Sequence, residues 1–466
     1  MGASVRDFAE RLPRGIAADP LVQEALVAAS EMDIDGAWQR LVGQSDQRQG
    51  KPYLHAVETE KLRDTHYDEV VEDVKPVPPR LGTLYLHLPF CVKRCAHCHY
   101  YKEIDVADNA IAAFPAYLEK ELSMVMNKLN IEMISTEALH YGGGTPSLLA
   151  VAQWENLVAR IGQFVTLEKD DEVTIEASPE DVTREKAAAW RASGVNRVSL
   201  GIQSFDDATL GLLNRNHDAC QSEQSYQVTL ETGFDNINVD LMYGMPGRTF
   251  GSWLHDVRRV LALLPESVTI YATRPDPADR LEKHKEFPGE EERIFAHLLA
   301  LNALLGAEYI QYSPNQFIRS YKGACKAKRE RNRCHNVLGI GPLAHSIIKN
   351  WFYYNKSNLN AYRAALDRGE LSRLKGARMS PQQERDRFIQ FGLKLSGVNK
   401  PADDNGVLKD GYQDCFGETI ESRFADSIRI LVDQGLLVVD AANFHLSKKG
   451  ILLTREVVRY FGDPAN

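Results

Sequence analysis

Between residues 81 and about 275, six short apolar-rich segments alternate with stretches of helical character, and nothing else in the chain constrains its fold as tightly. The segments are LGTLYLHL, TEALHY, EVTIEA, NRVSLGIQ, NINVDLMYG and SVTIYAT. Stretches such as FPAYLEKELSMVMNKL and DVTREKAAAWRASG separate them, the second with Gly194 placed to end a helix. Strand–helix–strand repetition implies parallel strands with helices packed outside. Within the strands, aliphatic and polar residues take turns. Leu84, Leu86 and Leu88 oppose Thr83, Tyr85 and His87; Val173 and Ile175 oppose Thr174 and Glu176. Val198, Leu200 and Ile202 oppose Arg197, Ser199 and Gln203; Ile237, Val239 and Leu241 oppose Asn236, Asn238 and Asp240. Side chains alternate faces along a strand, and a parallel sheet covered on both faces reads instead as near-continuous apolar runs. One face therefore packs on helices while the other lines something polar and wet. A curved, incomplete barrel with a hollow interior fits this pattern; a fully packed barrel does not.

The flanks differ in texture. Residues 1–80 read as a helical extension, because segments such as PLVQEALVAASEMDIDGAWQRLV space their apolar residues at the helical period. VVEDVKPVPPR, with three prolines, reads as a linker ending near Arg80. The core is expected over residues 81–365. Over 366–466, SPQQERDRFIQFGLKL reads as a helix, ESRFADSIRILVDQGLLVV as a helix running into a strand, and LLVVDAANFHLSKKGILL as a hairpin with a return. That order suggests a small winged-helix-like domain. Such domains often bind nucleic acid, but mixed charge here favours packing or covering a substrate.

The 466 residues, 44% of them hydrophobic, suffice for a large catalytic core plus smaller domains. A net charge of −9 and a pI near 5.9 give no broad reason to bind nucleic acid or an anionic membrane. One basic run, KGACKAKRERNR at 322–333, reads as a solvated loop. No apolar run approaches the about 20 residues that span a bilayer, and MGASVRDFAERLPRG lacks the apolar core of a signal peptide. Gly2 invites a myristoylation reading, but Arg6 stands where Ser or Thr is wanted. A cytoplasmic location is expected, and seven cysteines, an odd number, do not make a disulfide framework.

Three of those cysteines cluster in CVKRCAHCHYY as Cys91-x3-Cys95-x2-Cys98. Thiolates at this spacing fold around one corner and can ligate three irons of a [4Fe–4S] cluster. The fourth iron keeps the open position that a catalytic cluster needs. Zinc wants four ligands, usually as two spaced pairs, and His97 and His99 lie too close in sequence for easy tetrahedral closure. No second cysteine group marks an auxiliary cluster. Cys325 and Cys334 read as structural or loop thiols, and no Asp-x-His-x-x-Gly motif suggests cobalamin.

The spacing, with YLHLPFCVKRCAHC around it, resembles the radical S-adenosylmethionine (SAM) signature of the HemN-like branch, that of oxygen-independent coproporphyrinogen III oxidase. HYGGGTPSLL at 140–149, TIEASPE at 174–180, GVNRVSLGIQSFDDATLGLLNR at 194–215, NVDLMYGMPGRT at 238–249 and VLGIGPLAHS at 337–346 follow in the family's order. The resemblance implies an α/β fold, a partial (β/α)6 TIM-like barrel. It implies that SAM chelates the open iron and that an electron from a flavodoxin- or ferredoxin-type donor cleaves it to methionine and a 5′-deoxyadenosyl radical. It places Gly142, Gly143 and Gly144 against the methionine moiety and makes Glu176, Gln203, Arg215 and Asp240 SAM ligands. Tyr85 and His87 would contact cluster-bound SAM, although His87 reads equally as a satisfied interior histidine. Relatives hold a second SAM, to which Gly144, Thr145 and the strand end Tyr271–Thr273, including Ala272, would contribute.

Two departures shape the expected reaction. Tyr100 occupies the place where porphyrinogen oxidases carry a further cysteine, and the N-terminal 80 residues lack their arginine- and tyrosine-rich start. Both point toward the class C methylases and cyclopropanases, in which a second SAM donates one carbon to an unsaturated carbon of a natural-product intermediate. The alternatives are porphyrinogen decarboxylation, haem ring opening, or a haem chaperone with His345 as axial ligand, a residue that also reads as structural. A small-molecule substrate and a monomer are expected.

Overall fold

In the computed structural model, which describes residues 4–45, 62–78, 80–273, 287–355 and 358–462, each of the six alternating segments is a strand. They are β1 (Arg80–Leu88), β2 (Ile134–Gly143), β3 (Glu172–Ala177), β4 (Arg197–Gln203), β5 (Ile237–Tyr243) and β6 (Ser267–Ala272). They pair in that order, all parallel. Helices Asp108–Leu129, Val151–Ile161, Arg184–Ala192, Ala219–Glu231 and Phe250–Leu263 connect them. The aliphatic residues of the alternation are buried against those helices, as Leu84, Ile175, Val198, Val239 and Val268 show.

The polar face is only partly hollow. Toward the strand starts it is filled by a hydrogen-bonded network around Asn238. The Asn238 amide donates to Ser199 Oγ at 3.0 Å and to Asp240 Oδ1 at 2.8 Å, and its carbonyl accepts from Ser267 and Thr269, both at 2.9 Å. Buried polar groups demand partners, and these satisfy one another. Toward the strand ends the face is more open, where Tyr271 and the Glu176 side chain are exposed.

The sheet is wider than six strands. Val337–Ile340 joins β1 in parallel, and His345–Ile348, Trp351–Asn355, Leu374–Arg378 and Arg63–Thr65 continue it antiparallel. At the other edge Gln316–Ile318 pairs with β6 and Ile310–Ser313 follows. The N-terminal extension thus lends the sheet an edge strand, and the sheet runs past residue 365 to Arg378. The expected linker is shorter than its prolines suggested. VVEDV ends a helix, Tyr67–Val74, that buries Tyr67, Val70, Val71 and Val74, and only then do the prolines stop it. Helices Val5–Glu10 and Pro20–Glu31 pack on helix Glu290–Gly306, with Phe8 edge-on to Phe250 and Phe295. Gly2 and residues 46–61 of the extension lie outside the described residues.

The basic run is not a solvated loop. It forms helix Lys326–Asn332, which links the strand beside β6 to the strand beside β1 and so crosses the seam of the barrel at its lower end. Glu172 at the start of β3 accepts from the Lys326 amide at 2.9 Å, and Lys328 donates to Ser313 Oγ at 2.7 Å. Buried polar partners waiting at the strand starts draw the run inward, which charge counting alone does not foresee.

Beyond Arg378, helices Pro381–Leu393, Lys409–Phe416 and Ile420–Asp433 surround a three-stranded antiparallel sheet of Val407–Leu408, Asn443–Leu446 and Leu437–Val439. This is the expected winged-helix order. The segment after the hairpin is a helix, Lys448–Leu452, rather than a returning strand, because Ser447 caps it by accepting from the Gly450 amide at 3.0 Å. Among the described residues no helix is long and apolar enough to cross a membrane.

Candidate active site

The strand β1 delivers the chain to the cysteine loop. Glu103 closes the neck of that loop, its carbonyl accepting from the Cys91 amide at 3.0 Å and its amide donating to the Pro89 carbonyl at 2.6 Å. Cys91, Cys95 and Cys98 are all free thiols and partly accessible. Cys91 Sγ lies 3.3 Å from Thr145 Oγ1, and Arg215 Nη1 donates to Cys95 Sγ at 3.2 Å. Burial pushes the Cys91 thiol up, and the neighbouring Cys98 and Cys95 push it further. Among the described residues no three His, Cys, Asp or Glu side chains converge as a single metal ion requires. Zinc at about 2.3 Å from each sulfur would draw the thiolates within about 4 Å of one another, whereas a cubane holds each on a different iron and spreads them.

Tyr85 and His87 share the inward face of β1. His87, 3% exposed, presents Nε2 to the Tyr101 carbonyl at 3.2 Å. A carbonyl only accepts, so Nε2 carries the proton and Nδ1 accepts from the Tyr85 hydroxyl at 3.0 Å. Burial lowers His87 to about 4 and keeps it neutral. Of its two readings, the satisfied interior histidine is the one the geometry supports, and its effect is to orient Tyr85. The Tyr85 ring in turn sits between His140 and His345, each at 5.8 Å.

The glycines that end β2, Gly142 and Gly143, and Gly144 after them are crowded by the chain itself. A Cβ on Gly144 would lie 2.6 Å from the Phe90 carbonyl oxygen and 2.8 Å from that of Leu88, the neck of the cysteine loop. At Gly143, where φ is +111°, it would strike the His87 ring, and at Gly142 the Glu176 carboxyl and the Tyr85 ring. Packed protein alone is enough to require glycine at these positions.

Of the four residues expected around SAM, Glu176 and Gln203 sit at strand ends, Asp240 in the middle of β5, and Arg215 beyond the short helix Asp207–Leu212 that follows β4. Glu176 on β3 accepts from His140 Nε2 at 3.0 Å and from the Gly143 amide at 3.2 Å. Burial works against its charge, but His140 and that amide outweigh it and hold the carboxyl below its ordinary range. Asp240 on β5 accepts from Asn238 and, at 3.3 Å, from Ser199; burial raises it to about 6. Gln203 closes β4 with a φ of +70° at a register shift, strain of the kind found at functional sites. Arg215 Nη2 donates to Ser178 Oγ and the Gly201 carbonyl, both at 2.8 Å. Ala272 does not join them: its methyl packs on the apolar core, and alternation turns Tyr271 inward instead.

A radical SAM superfamily pattern matches residues 85–260. The chain is 31% identical over 310 residues to an oxygen-independent coproporphyrinogen III oxidase of Bradyrhizobium diazoefficiens, covering 63% of this chain and 69% of that protein. The chain belongs to the HemN-like family of the radical SAM superfamily. A haem chaperone, HemW, of Lactococcus lactis is also similar, 27% identical across 82% of this chain and 97% of its own. The solved coproporphyrinogen III oxidase (HemN) of Escherichia coli shares the fold, with a TM-score of 0.75 over 90% of this chain and 98% of that one, at 21% identity.

A HemN-like protein carries a [4Fe–4S] cluster and SAM, and the residues present fit both. The three thiols can hold the cluster. Around them, Arg215 Nε, His97 Nδ1 and His140 Nδ1 are buried polar atoms without a partner among the described residues, and such atoms call for a ligand. Three contributors, Ser178, Glu180 and His217, escaped the sequence reading. Ser178 donates onward to Glu180 Oε2 at 2.6 Å, and His217 Nδ1 meets the same oxygen at 3.1 Å. Burial opposes the Glu180 charge, but His217, Ser178 and Arg215 bring it to about 2. Ser178 and Glu180 lie inside TIEASPE, so their place in that motif was the available signal.

Proposed function

We propose that the chain is a radical SAM enzyme acting on a tetrapyrrole, with Cys91, Cys95 and Cys98 holding the cluster and Glu176, Gln203, Arg215 and Asp240 holding SAM. When bound, cluster and SAM together supply a strong hydrogen-abstracting oxidant. The observation supporting the proposal is that Arg215 reaches Cys95 of the cysteine loop while its Nε and the Nδ1 atoms of His97 and His140 are buried without a partner among the described residues. Similarity to proteins named as a coproporphyrinogen oxidase and haem chaperones favours a tetrapyrrole over a natural-product intermediate. In this reading residues 81–365 perform the chemistry, Tyr85 is oriented by His87 toward SAM, and the part after 366, whose helix Pro381–Leu393 packs on Lys326–Asn332, covers the lower side.

One observation favours a second reading. Tyr100 stands where porphyrinogen oxidases carry a further cysteine, which suits one-carbon transfer from a second SAM near Gly144, Thr145 and the end of β6. Reconstituted protein incubated with reductant, methyl-labelled SAM and coproporphyrinogen III separates the two. Substrate-dependent 5′-deoxyadenosine with released carbon dioxide is expected. Label entering an acceptor would transfer the assignment to the second reading, and a Soret shift with added haem but no SAM cleavage would overturn both in favour of a chaperone.

A further inference from the structure

Each cysteine of the CVKRCAHC loop has a polar group of the protein brought to it. The Thr145 hydroxyl lies 3.3 Å from Cys91 Sγ, Arg215 Nη1 donates to Cys95 Sγ at 3.2 Å, and Lys102 Nζ donates to the Cys98 carbonyl at 2.7 Å. Arg215 belongs to the SAM-directed set. Thr145 and Lys102 point to something else.

Thr145 starts from backbone tied to the neck of the loop, since its amide donates at 2.7 Å to the carbonyl of Phe90, the residue before Cys91. Among the described residues its hydroxyl meets no other partner than Cys91 Sγ. A free thiol could share a proton with it in either direction. A sulfur bound to iron has lost its own proton, so only the hydroxyl can then donate.

Lys102 is 6% exposed and, among the described residues, makes no ion pair. A buried ammonium held by a carbonyl alone is costly unless an anion lies beside it. In a chain whose net charge is −9, the stretch from Cys91 to Lys102 contains no Asp or Glu. The loop's own carboxylates are therefore not that anion; three thiolates around a cluster are. One electron from a flavodoxin- or ferredoxin-type donor makes the bound group one unit more negative, with no bond made or broken at the sulfurs. Hydrogen bonds to those sulfurs and a buried cation beside them favour the reduced form over the oxidised one.

We propose that Thr145 and Lys102 raise the reduction potential of the cluster, Thr145 by donating to the Cys91 thiolate and Lys102 by placing a buried positive charge behind Cys98. This rests on the reading that Cys91, Cys95 and Cys98 hold the cluster.

Redox titration of reconstituted protein without SAM tests it, the reduced fraction being read from the electron paramagnetic resonance of the reduced cluster per iron bound. At the wild-type midpoint the ratio of reduced to oxidised cluster should fall about threefold or more in Thr145→Val and about tenfold or more in Lys102→Gln. For a one-electron couple, tenfold is about 59 mV. Thr145→Ser keeps the hydroxyl and Lys102→Arg keeps the charge, and both should stay near the wild-type midpoint. A wild-type midpoint in Thr145→Val or in Lys102→Gln removes that residue, and in both overturns the inference. A Thr145→Ser midpoint as low as that of Thr145→Val, or a Lys102→Arg midpoint as low as that of Lys102→Gln, overturns it for that residue too. Failure of Thr145→Val or Lys102→Gln to take up a cluster assigns the residue to cluster assembly and not to its potential, which also overturns the inference there. Wild type that binds no iron would instead remove the three-cysteine reading itself.

Discussion

Arg215 ties the cysteine loop to the barrel: one arm of its guanidinium donates to Cys95 Sγ at 3.2 Å and the other to Ser178 Oγ at 2.8 Å. Ser178 is held by Glu180, and Glu180 by His217, so the fork is fixed from behind. Lysine cannot reproduce two directed arms. Arg215→Lys should raise the SAM dissociation constant about tenfold or more. Iron content after reconstitution should stay near three-cysteine wild-type levels. Dialysis against labelled SAM and iron analysis on the same samples check both halves.

Gly144→Ala should damage the cluster loop rather than SAM contacts. The added methyl meets two backbone carbonyls, of Phe90 and Leu88, and neither can swing aside. Their displacement would also strain the bonds that the Gly144 and Thr145 amides make to them, both at 2.7 Å. A cost of about 1–3 kcal/mol is expected, with lower iron uptake. Wild-type iron occupancy in this variant would refute the reading of Gly144 as part of the loop's neck.

The strands and the cysteine motif were legible because each rests on local pattern. Alternation along β1, β3, β4 and β5 reports which face is apolar, and that face is the one packed on the helices, although much of the polar face is buried too. What stayed hidden depends on meeting residues far apart in the chain. Lys326–Asn332 reads as solvated until Glu172, more than 150 positions earlier, is placed at its start. Ala272 and Tyr271 both lie in the matched strand end, and only the bonds of Ser267 and Thr269 to Asn238 show that the face of β6 shared by Tyr271 is the inward one. The His87 role turns on the Tyr101 carbonyl, a backbone atom that no side-chain pattern announces.

Glu121 gives stability a pH dependence that can be isolated. It is buried in helix Asp108–Leu129 and accepts from the Gly341 amide at 2.7 Å, Asn355 Nδ2 at 2.6 Å and the Tyr362 hydroxyl at 2.6 Å. Burial outweighs those donors and raises it from 4.5 to about 7. The folded state therefore binds the proton more tightly than the unfolded one. Its contribution is fully present below 4.5 and is lost as pH rises to about 7, by about 3 kcal/mol at most. Glu121→Gln cannot titrate. Urea unfolding on both sides of that window should show wild type losing stability relative to the variant as pH rises, and parallel profiles would contradict the assignment.

Asp240 should make SAM binding pH-dependent. Burial is the main force raising it to about 6, and the charge of Glu176 adds to it, while Asn238, Arg197 and Ser199 pull the other way. In the free protein the carboxylate, the form that can accept from an ammonium or hydroxyl of SAM, prevails only above that value. Bound SAM is a cation and favours the charged carboxylate, so the complex should titrate lower than the free site. Affinity should then fall as pH drops through about 6, with one proton taken up by the site as the ligand leaves. Asp240→Asn should bind SAM more weakly at neutral pH and with a flatter profile across the same range. Calorimetry in two buffers of different ionisation enthalpy counts that proton directly, and a wild-type proton count of zero near pH 6 would remove Asp240 from the SAM site.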